Sequence, residues 1–538
     1  MAPKIIRDLS DTSGYWAAIW TLCPMPDVHV ICDAPVGCFN LVGTAVPDYT
    51  DAIPHIENLT PATMTEQEVG GKGTSEKVRW TYENLKASGA LDGKTLIVVS
   101  TAESEMIGSD HTKLVETFQP GTRFYYSNSL SEDEWAGRDR VLRWVWEQYG
   151  SGAARVQGSG VRGQEPEGGG QGSGVRGQGD ASGGAQQARA EIESGAAMTA
   201  LAAPLLVNII GPTYGCFNAP SDLEEVRRLI AGAGGTVNLV YPYEATLADT
   251  PRLAEAQVNV LMYKEFGAGL ANELGQETLV APFGMRETTA FVRRLGELFG
   301  TEEQAAAFIA REKKTTLSAV WDLWKGPQSD WFPTSSIGIV AGRSYAEGLA
   351  RYLGEELGMP IAFVGARPLR PGDPDNQAVR EMLHKRAPAF VFGSINEKIY
   401  LSEAGARFTN FIPAAFPGPI VRRAVGTPFM GFRGAVYLVQ EIVNRLYETL
   451  FNFLPVDGAY AKNGAGGPPQ APPPNAPGNM PWKQDARALL DAALEELPYI
   501  PRISASRELQ MKVEGLARTR GEAEITAAIV NEALGTSL

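Results

Sequence analysis

The chain has 538 residues, 44% hydrophobic and 20% charged, enough to bury a sizeable core and, at roughly 150 residues per domain, to form about three domains. Acidic residues outnumber basic ones 62 to 48, and the resulting formal charge of −14 argues against a general nucleic-acid binder. Four cysteines are too few for a disulfide scaffold, and four histidines leave little for a His-rich metal site.

No apolar run reaches the roughly 18 residues of a membrane span, and the stretch from Met1 to Asp8 has no apolar region ahead of a cleavage site. The expectation is a cytoplasmic protein with reduced thiols and neither a signal peptide nor a transmembrane segment. Val28 to Cys32 reads as a strand running into Asp33-Ala-Pro-Val-Gly-Cys38. Thr74 or Ser75 caps a helix through Ser88, Thr95 to Thr101 is a buried strand, and another helix starts near Ser109. Leu206 to Ile210 is a strand, and Ser221 with Glu224 forms a capping-box signature for a helix through Ala231. Thr236–Val240, Val258–Met262 and Thr278–Ala281 continue the strands. Ile337–Val340, Ile361–Val364, Ala389–Phe392 and Phe408–Ile412 repeat the scheme before a long helix from about Ala435 to Phe451. Leu490, Leu494 and Leu497 share one face of a C-terminal helix, which packs on its own core or faces a partner.

Strand–helix alternation of this kind predicts an α/β chain with parallel sheets covered by helices on both faces, and ligands at the carboxyl ends of the strands. Two stretches interrupt it. Residues 150–184 hold 14 of the 59 glycines, and Gln157 to Gln164 recurs letter for letter as Gln171 to Gln178. Such a stretch cannot bury enough apolar surface to offset its ordering entropy. Six prolines fall between Ala461 and Asn479 and predict an extended linker. The expected division is 1–149, an insertion at 150–203, 204–332, 333–460, a linker at 461–480, and C-terminal helices over 481–538.

Gly89-Ala-Leu-Asp-Gly-Lys94 has three residues, not four, ahead of its Gly-Lys pair, and it follows a helix and opens a strand. It is a helix-to-strand turn, not a phosphate loop, so no ATP site is visible. Val69-Gly-Gly-Lys-Gly73 precedes a helix and is either an anion-holding N-terminus or a loop needing unusual backbone angles. Cys38 follows a strand through a Pro-Val-Gly turn, which presents a thiol at a sheet end; taken alone, a buried structural cysteine is the simpler reading. Gly215-Cys216-Phe-Asn218 repeats that local sequence. A cubane cluster usually takes four cysteines, and Cys23, Cys32, Cys38 and Cys216 show no Cys-x-x-Cys spacing, so most ligands of any cluster come from another chain. No Gly-x-Ser-x-Gly elbow or His-Glu-x-x-His pair occurs, and His55, His111 and His384 default to surface or satisfied-core roles.

Gly14-Tyr-Trp16, Asp33 to Cys38, Tyr49-Thr-Asp51, Glu105-Met-Ile-Gly108, Asn208 to Tyr214, Pro220 to Leu223 and Tyr263-Lys-Glu-Phe266 form a spaced series. Trp321 to Trp324, Glu403 to Arg407, Thr427 to Gly431 and Tyr437 to Glu441 continue it. Over about 1–150 and 204–455 the series resembles the Z subunits of the chlorophyllide a reductases, in the nitrogenase-like family. The resemblance implies three Rossmann-like domains and a heterotetramer of two Y and two Z subunits. It implies a 4Fe–4S cluster at each Y–Z interface, with Cys38 as the one ligand from this chain. A separate ATP-hydrolysing iron–sulfur protein, subunit X, would deliver electrons to reduce the C7=C8 bond of ring B of chlorophyllide a, a step of bacteriochlorophyll synthesis. Related subunits carry a cysteine ahead of the Glu-x-Ile-Gly stretch; the corresponding place here is Ala102, which removes a ligand from this chain. In the sister enzyme a second-domain aspartate is the suggested proton donor. The stretch Pro282 to Ala290 has none, and Glu287 reads as a helix-start carboxylate, so the proton donor stays unassigned. The pigment calls for an apolar pocket with few polar groups. Two other readings stand beside this one. They are the B-type component of the protochlorophyllide ring D reductase, which normally has aspartate where Cys38 stands, and a non-catalytic cofactor-assembly scaffold.

Overall fold

The computed structural model describes residues 13–44, 55–65, 67–150, 205–324, 331–416, 426–453, 480–495 and 499–535. The expected linkers at 150–203 and 461–480 lie outside these residues, save Gly150 and Met480. Among the described residues twelve strands form three four-stranded sheets, and their pairings are all parallel. Sheet I holds β1 (Val28–Asp33), β2 (Leu59–Pro61), β3 (Thr95–Ser100) and β4 (Arg123–Tyr125) in the order β2-β1-β3-β4. Sheet II holds β5 (Leu206–Ile210), β6 (Thr236–Tyr241), β7 (Val258–Leu261) and β8 (Glu277–Val280) in the order β6-β5-β7-β8. Sheet III holds β9 (Ile337–Gly342), β10 (Ile361–Arg367), β11 (Phe390–Gly393) and β12 (Asn410–Pro413) in the order β10-β9-β11-β12. The central strands are buried on both faces, which is why they read as largely apolar runs rather than alternating ones.

The three sheets lie in one compact unit, Met1–Arg445. Two buried polar clasps join its parts. Arg138, fully buried on the Glu134–Val145 helix, pairs with Glu134 at 3.0 Å and donates to the Tyr214 carbonyl at 2.8 Å and to Cys216 Sγ at 3.2 Å. Its guanidinium stacks over Trp20 and Phe266, 5.0 and 5.2 Å from the ring centroids. Gly215 permits this, because a Cβ there would stand 2.7 Å from both Arg138 and Trp20. Asp222 is the second clasp; it accepts from the backbone N–H of Phe429 at 2.7 Å and of Met430 at 3.0 Å. Helices Gly14–Leu22 and Glu134–Val145 approach closely through Gly14 and Gly137. The second unit, Leu446–Leu538, has its own core of Ala486, Leu490, Val513, Ala517, Ile525, Ile529, Val530 and Ala533. Leu490 is therefore a core residue; the side chains of Leu494 and Leu497 lie outside the described residues.

Two expected caps are not formed. Thr74 precedes the Ser75–Ala87 helix, but its hydroxyl donates to Asp33 instead of capping. The Ser221–Glu224 pair lies inside the first turn, since the helix starts at Ala219 after Asn218. The Gly89–Lys94 segment is the expected turn, with Gly89 and Gly93 at φ 76° and 71°. Residues 68–72 form one wide helical turn closed by the Gly73 N–H on the Glu68 carbonyl at 3.0 Å, so the backbone-angle reading of the glycines holds at Gly73, φ 73°.

Candidate functional site

β1 and β3 run side by side with Asp33 opposite Ser100, so the turns that leave their carboxyl ends are neighbours. The first leads into the Val36–Thr44 helix, whose first turn carries Cys38; the second leads into the Ala102–Met106 helix, whose first turn carries Glu103. Cys38 is half-buried, and its Sγ–H donates to Glu103 Oε1 at 2.9 Å. The other three cysteines are buried. Val36 and Met106, on the same two short helices, are exposed.

The Cys38 turn is held from behind. Thr101 Oγ1 donates to the Asp33 carbonyl at 2.8 Å, and the Ala34 N–H bonds the Cys32 carbonyl at 2.8 Å. Asp33 is fully buried. Its Oδ2 accepts from Thr74 Oγ1 at 2.8 Å and pairs with the buried His111 Nε2, also at 2.8 Å. Ser75 meets the other ring nitrogen at 3.3 Å. Partial burial, then the hydrogen bond to Glu103 and its negative charge, push the Cys38 thiol up to about 11. Burial likewise pushes Cys32 up to about 12. At neutral pH this edge of sheet I therefore presents a protonated thiol backed by a carboxylate.

Cys216 does not mirror Cys38. It is buried against Arg138, and Thr213 Oγ1 lies 3.4 Å from its sulfur. Ala102 opens the helix that carries Glu103, and Thr101 caps that helix. Glu287 accepts from the Phe283 N–H at 3.3 Å and pairs with Arg351, as a helix-start carboxylate does. His111 is a satisfied core residue, whereas His55 and His384 pair with Glu57 and Glu403 nearer the surface. Glu103 and the Asp33–His111 clasp escaped the sequence reading; the signal for them is strand register, which the sequence does not print.

A cavity of about 480 Å³ opens at the carboxyl ends of sheet III. Val340 to Gly342, Arg367, Asn376, Ser394, Asn396 and Glu397, from sheet III and its connections, line it together with Ser129, Ser131 and Glu132 to Trp135. The lining is rich in carboxylates, hydroxyls and amides, which does not match the apolar pocket expected for a pigment.

Residues 13–447 match the family described as Nitrogenase component 1 type Oxidoreductase. The chain belongs to that family. Among its relatives is the B subunit of the light-independent protochlorophyllide reductase of Heliobacterium modesticaldum, 28% identical over 364 residues, which span 60% of this chain and 67% of the relative. The protein of the same name from Chloroflexus aggregans is 26% identical over 396 residues, 60% of this chain and 70% of that one. A solved structure titled nitrogenase Cp1 at pH 6.5 superposes with a TM-score of 0.58 at 13% identity, covering 84% of this chain and 95% of the other, so the two share a fold. Among the described residues no three His, Cys, Asp or Glu side chains gather as a metal cage. One half-buried thiol at a sheet end fits a single share of a cluster held between chains, and does not fit a whole one. Among the described residues no helix is long and apolar enough to cross a membrane.

Proposed function

We propose that this chain is the Z-type catalytic subunit of a chlorophyllide a reductase, which reduces the C7=C8 bond of ring B. Cys38 provides one thiolate for a 4Fe–4S cluster, and subunit Y of a Y2Z2 heterotetramer provides the other ligands. ATP is used by a separate iron–sulfur protein, subunit X. The expected domain bounds belong to the same proposal. The observation that supports it is the half-buried Cys38 thiol at the carboxyl end of β1, beside two exposed apolar residues, Val36 and Met106. Ligation requires the thiolate, so Cys38 must lose its proton, and Glu103 Oε1 already accepts that hydrogen. Asp33, His111 and Thr74 hold the turn in place. When bound, the cluster supplies one-electron transfer.

Cys38 also bears on the protochlorophyllide reading, which the names of the relatives favour. That enzyme's component normally has aspartate at this place. An anaerobic assay with subunits X and Y, ATP, reductant and both pigments separates the two. A bacteriochlorophyllide-type spectrum from chlorophyllide a supports the ring B reading, and change only in protochlorophyllide overturns it. Cys38→Ala should lower the iron content of the Y–Z complex; unchanged iron removes Cys38 as ligand. A complex that carries a cluster or pigment and never turns over would mark an assembly scaffold.

A further inference from the structure

We propose that the cleft at the carboxyl ends of sheet III binds a small zwitterion, its carboxylate against Arg367 and Asn396 and its ammonium against Glu132 and Asp133. In sheet III the connection from β9 goes first to β10 on one side and later to β11 on the other. The crevice between the ends of β9 and β11 is thus the switch point of an open parallel sheet, where such folds take ligands. Gly342 ends β9 and Ser394 follows β11, and both line the cleft.

Asn396 points to a ligand. It is only 7% exposed and lines the cleft, yet its side-chain amide makes no hydrogen bond to any described residue. Its amide atoms are open to the cleft rather than sealed, so a carboxylate bound there would meet them. Arg367, on the same side, is held by the carbonyls of Ala366 and Pro374, each at 3.1 Å, so its charge is fixed in place. The first turns of the Asn376–Lys385 and Ile395–Glu403 helices reach the same wall and add favourable dipoles for an anion.

The opposite side is acidic. Glu132 and Asp133 line it, held by Arg140 at 2.8 Å and by the Ala136 N–H at 2.9 Å. Glu397 lines the cleft as well, so a plain anion would face carboxylates as well as the guanidinium, and a plain amine would face the guanidinium as well as carboxylates. A molecule with both charges satisfies both walls, and about 480 Å³ suits a small one. This site is separate from Cys38 and does not depend on the proposed reduction.

The test is calorimetry on the full chain with glycine, 4-aminobutyrate and 6-aminohexanoate, and with acetate and methylammonium as half-ligands. Trp135, in the cleft wall, offers a fluorescence readout. The expected result is saturable binding of at least one zwitterion, with both half-ligands at least about tenfold weaker, and Asn396→Asp weakening the zwitterion at least about tenfold. Asn396→Ala serves if the aspartate variant does not fold. No saturation by any of the three zwitterions up to about 10 mM overturns the proposal. So does a half-ligand that binds as tightly, or a folded Asn396 variant that binds unchanged.

Discussion

Arg138 offers the sharpest check on how this unit is held together. Its guanidinium is fully buried and serves the Glu134 carboxylate, the hydroxyl of Thr213, the carbonyl of Tyr214 and the sulfur of Cys216 at once. Arg138→Met keeps most of the volume and the apolar stem but removes the charge. It leaves Glu134, only 3% exposed, without its cation, and losing one member of a buried pair costs about 3–5 kcal/mol. Adding Glu134→Gln removes the stranded charge, so the double variant should recover more than half of that loss. A chain with three sheets need not unfold in one step, so the readout is native-state hydrogen exchange at β5 and the Tyr214–Cys216 segment. A loss of about 3 kcal/mol raises exchange there about 150-fold. If Arg138→Met alone changes exchange less than about fivefold, or the double variant is no better than the single, the clasp is not held by its charge.

Three further outcomes are expected. Glu103→Gln removes one cause of the Cys38 shift from 9.0 to about 11, and since burial is the larger cause, alkylation of Cys38 by iodoacetamide at mildly alkaline pH should quicken about tenfold; an unchanged rate refutes the coupling. Burial and then the charge of Lys94 lower His29 from 6.5 to about 4. A ring kept neutral in the fold contributes fully above pH 6.5, and that contribution, about 3 kcal/mol, is lost as the pH falls toward 4. Melts of His29→Gln should accordingly show a smaller drop in Tm over this range than the parent chain, and equal drops would exclude His29 as the source. Gly14→Ala would place a Cβ 2.1 Å from the Ser127 carbonyl oxygen, so it should destabilise the chain by about 1–3 kcal/mol in a thermal melt; a neutral result would mean that the Gly14 helix and the Ser127 segment can move apart freely.

Most of the architecture was legible in the amino-acid order because buried parallel strands are mostly apolar; the strand expected at Leu206–Ile210 has the bounds observed for β5, despite the buried Asn208 at its centre. β2 and β4 were not, being three residues long each, too short for any period to emerge. The capping signatures misled where a tertiary partner outbid the local one, as Asp33 does for the Thr74 hydroxyl. The tight turn expected at Pro35-Val-Gly37 is instead the start of the Val36–Thr44 helix, and Gly37 takes no left-handed angle. The carboxylate facing Cys38 could not be read either, because Glu103 lies 65 residues away and is brought alongside only by the pairing of β1 with β3.

The burial of Cys38 and its bond to Glu103 together have a bearing on how the thiol meets oxidants. Oxidants attack the thiolate, and a group that deprotonates near 11 offers only about one thiolate in ten thousand molecules at pH 7. A half-buried side chain is in this way kept chemically quiet. It resists conversion to sulfenic or sulfinic acid without being fully buried.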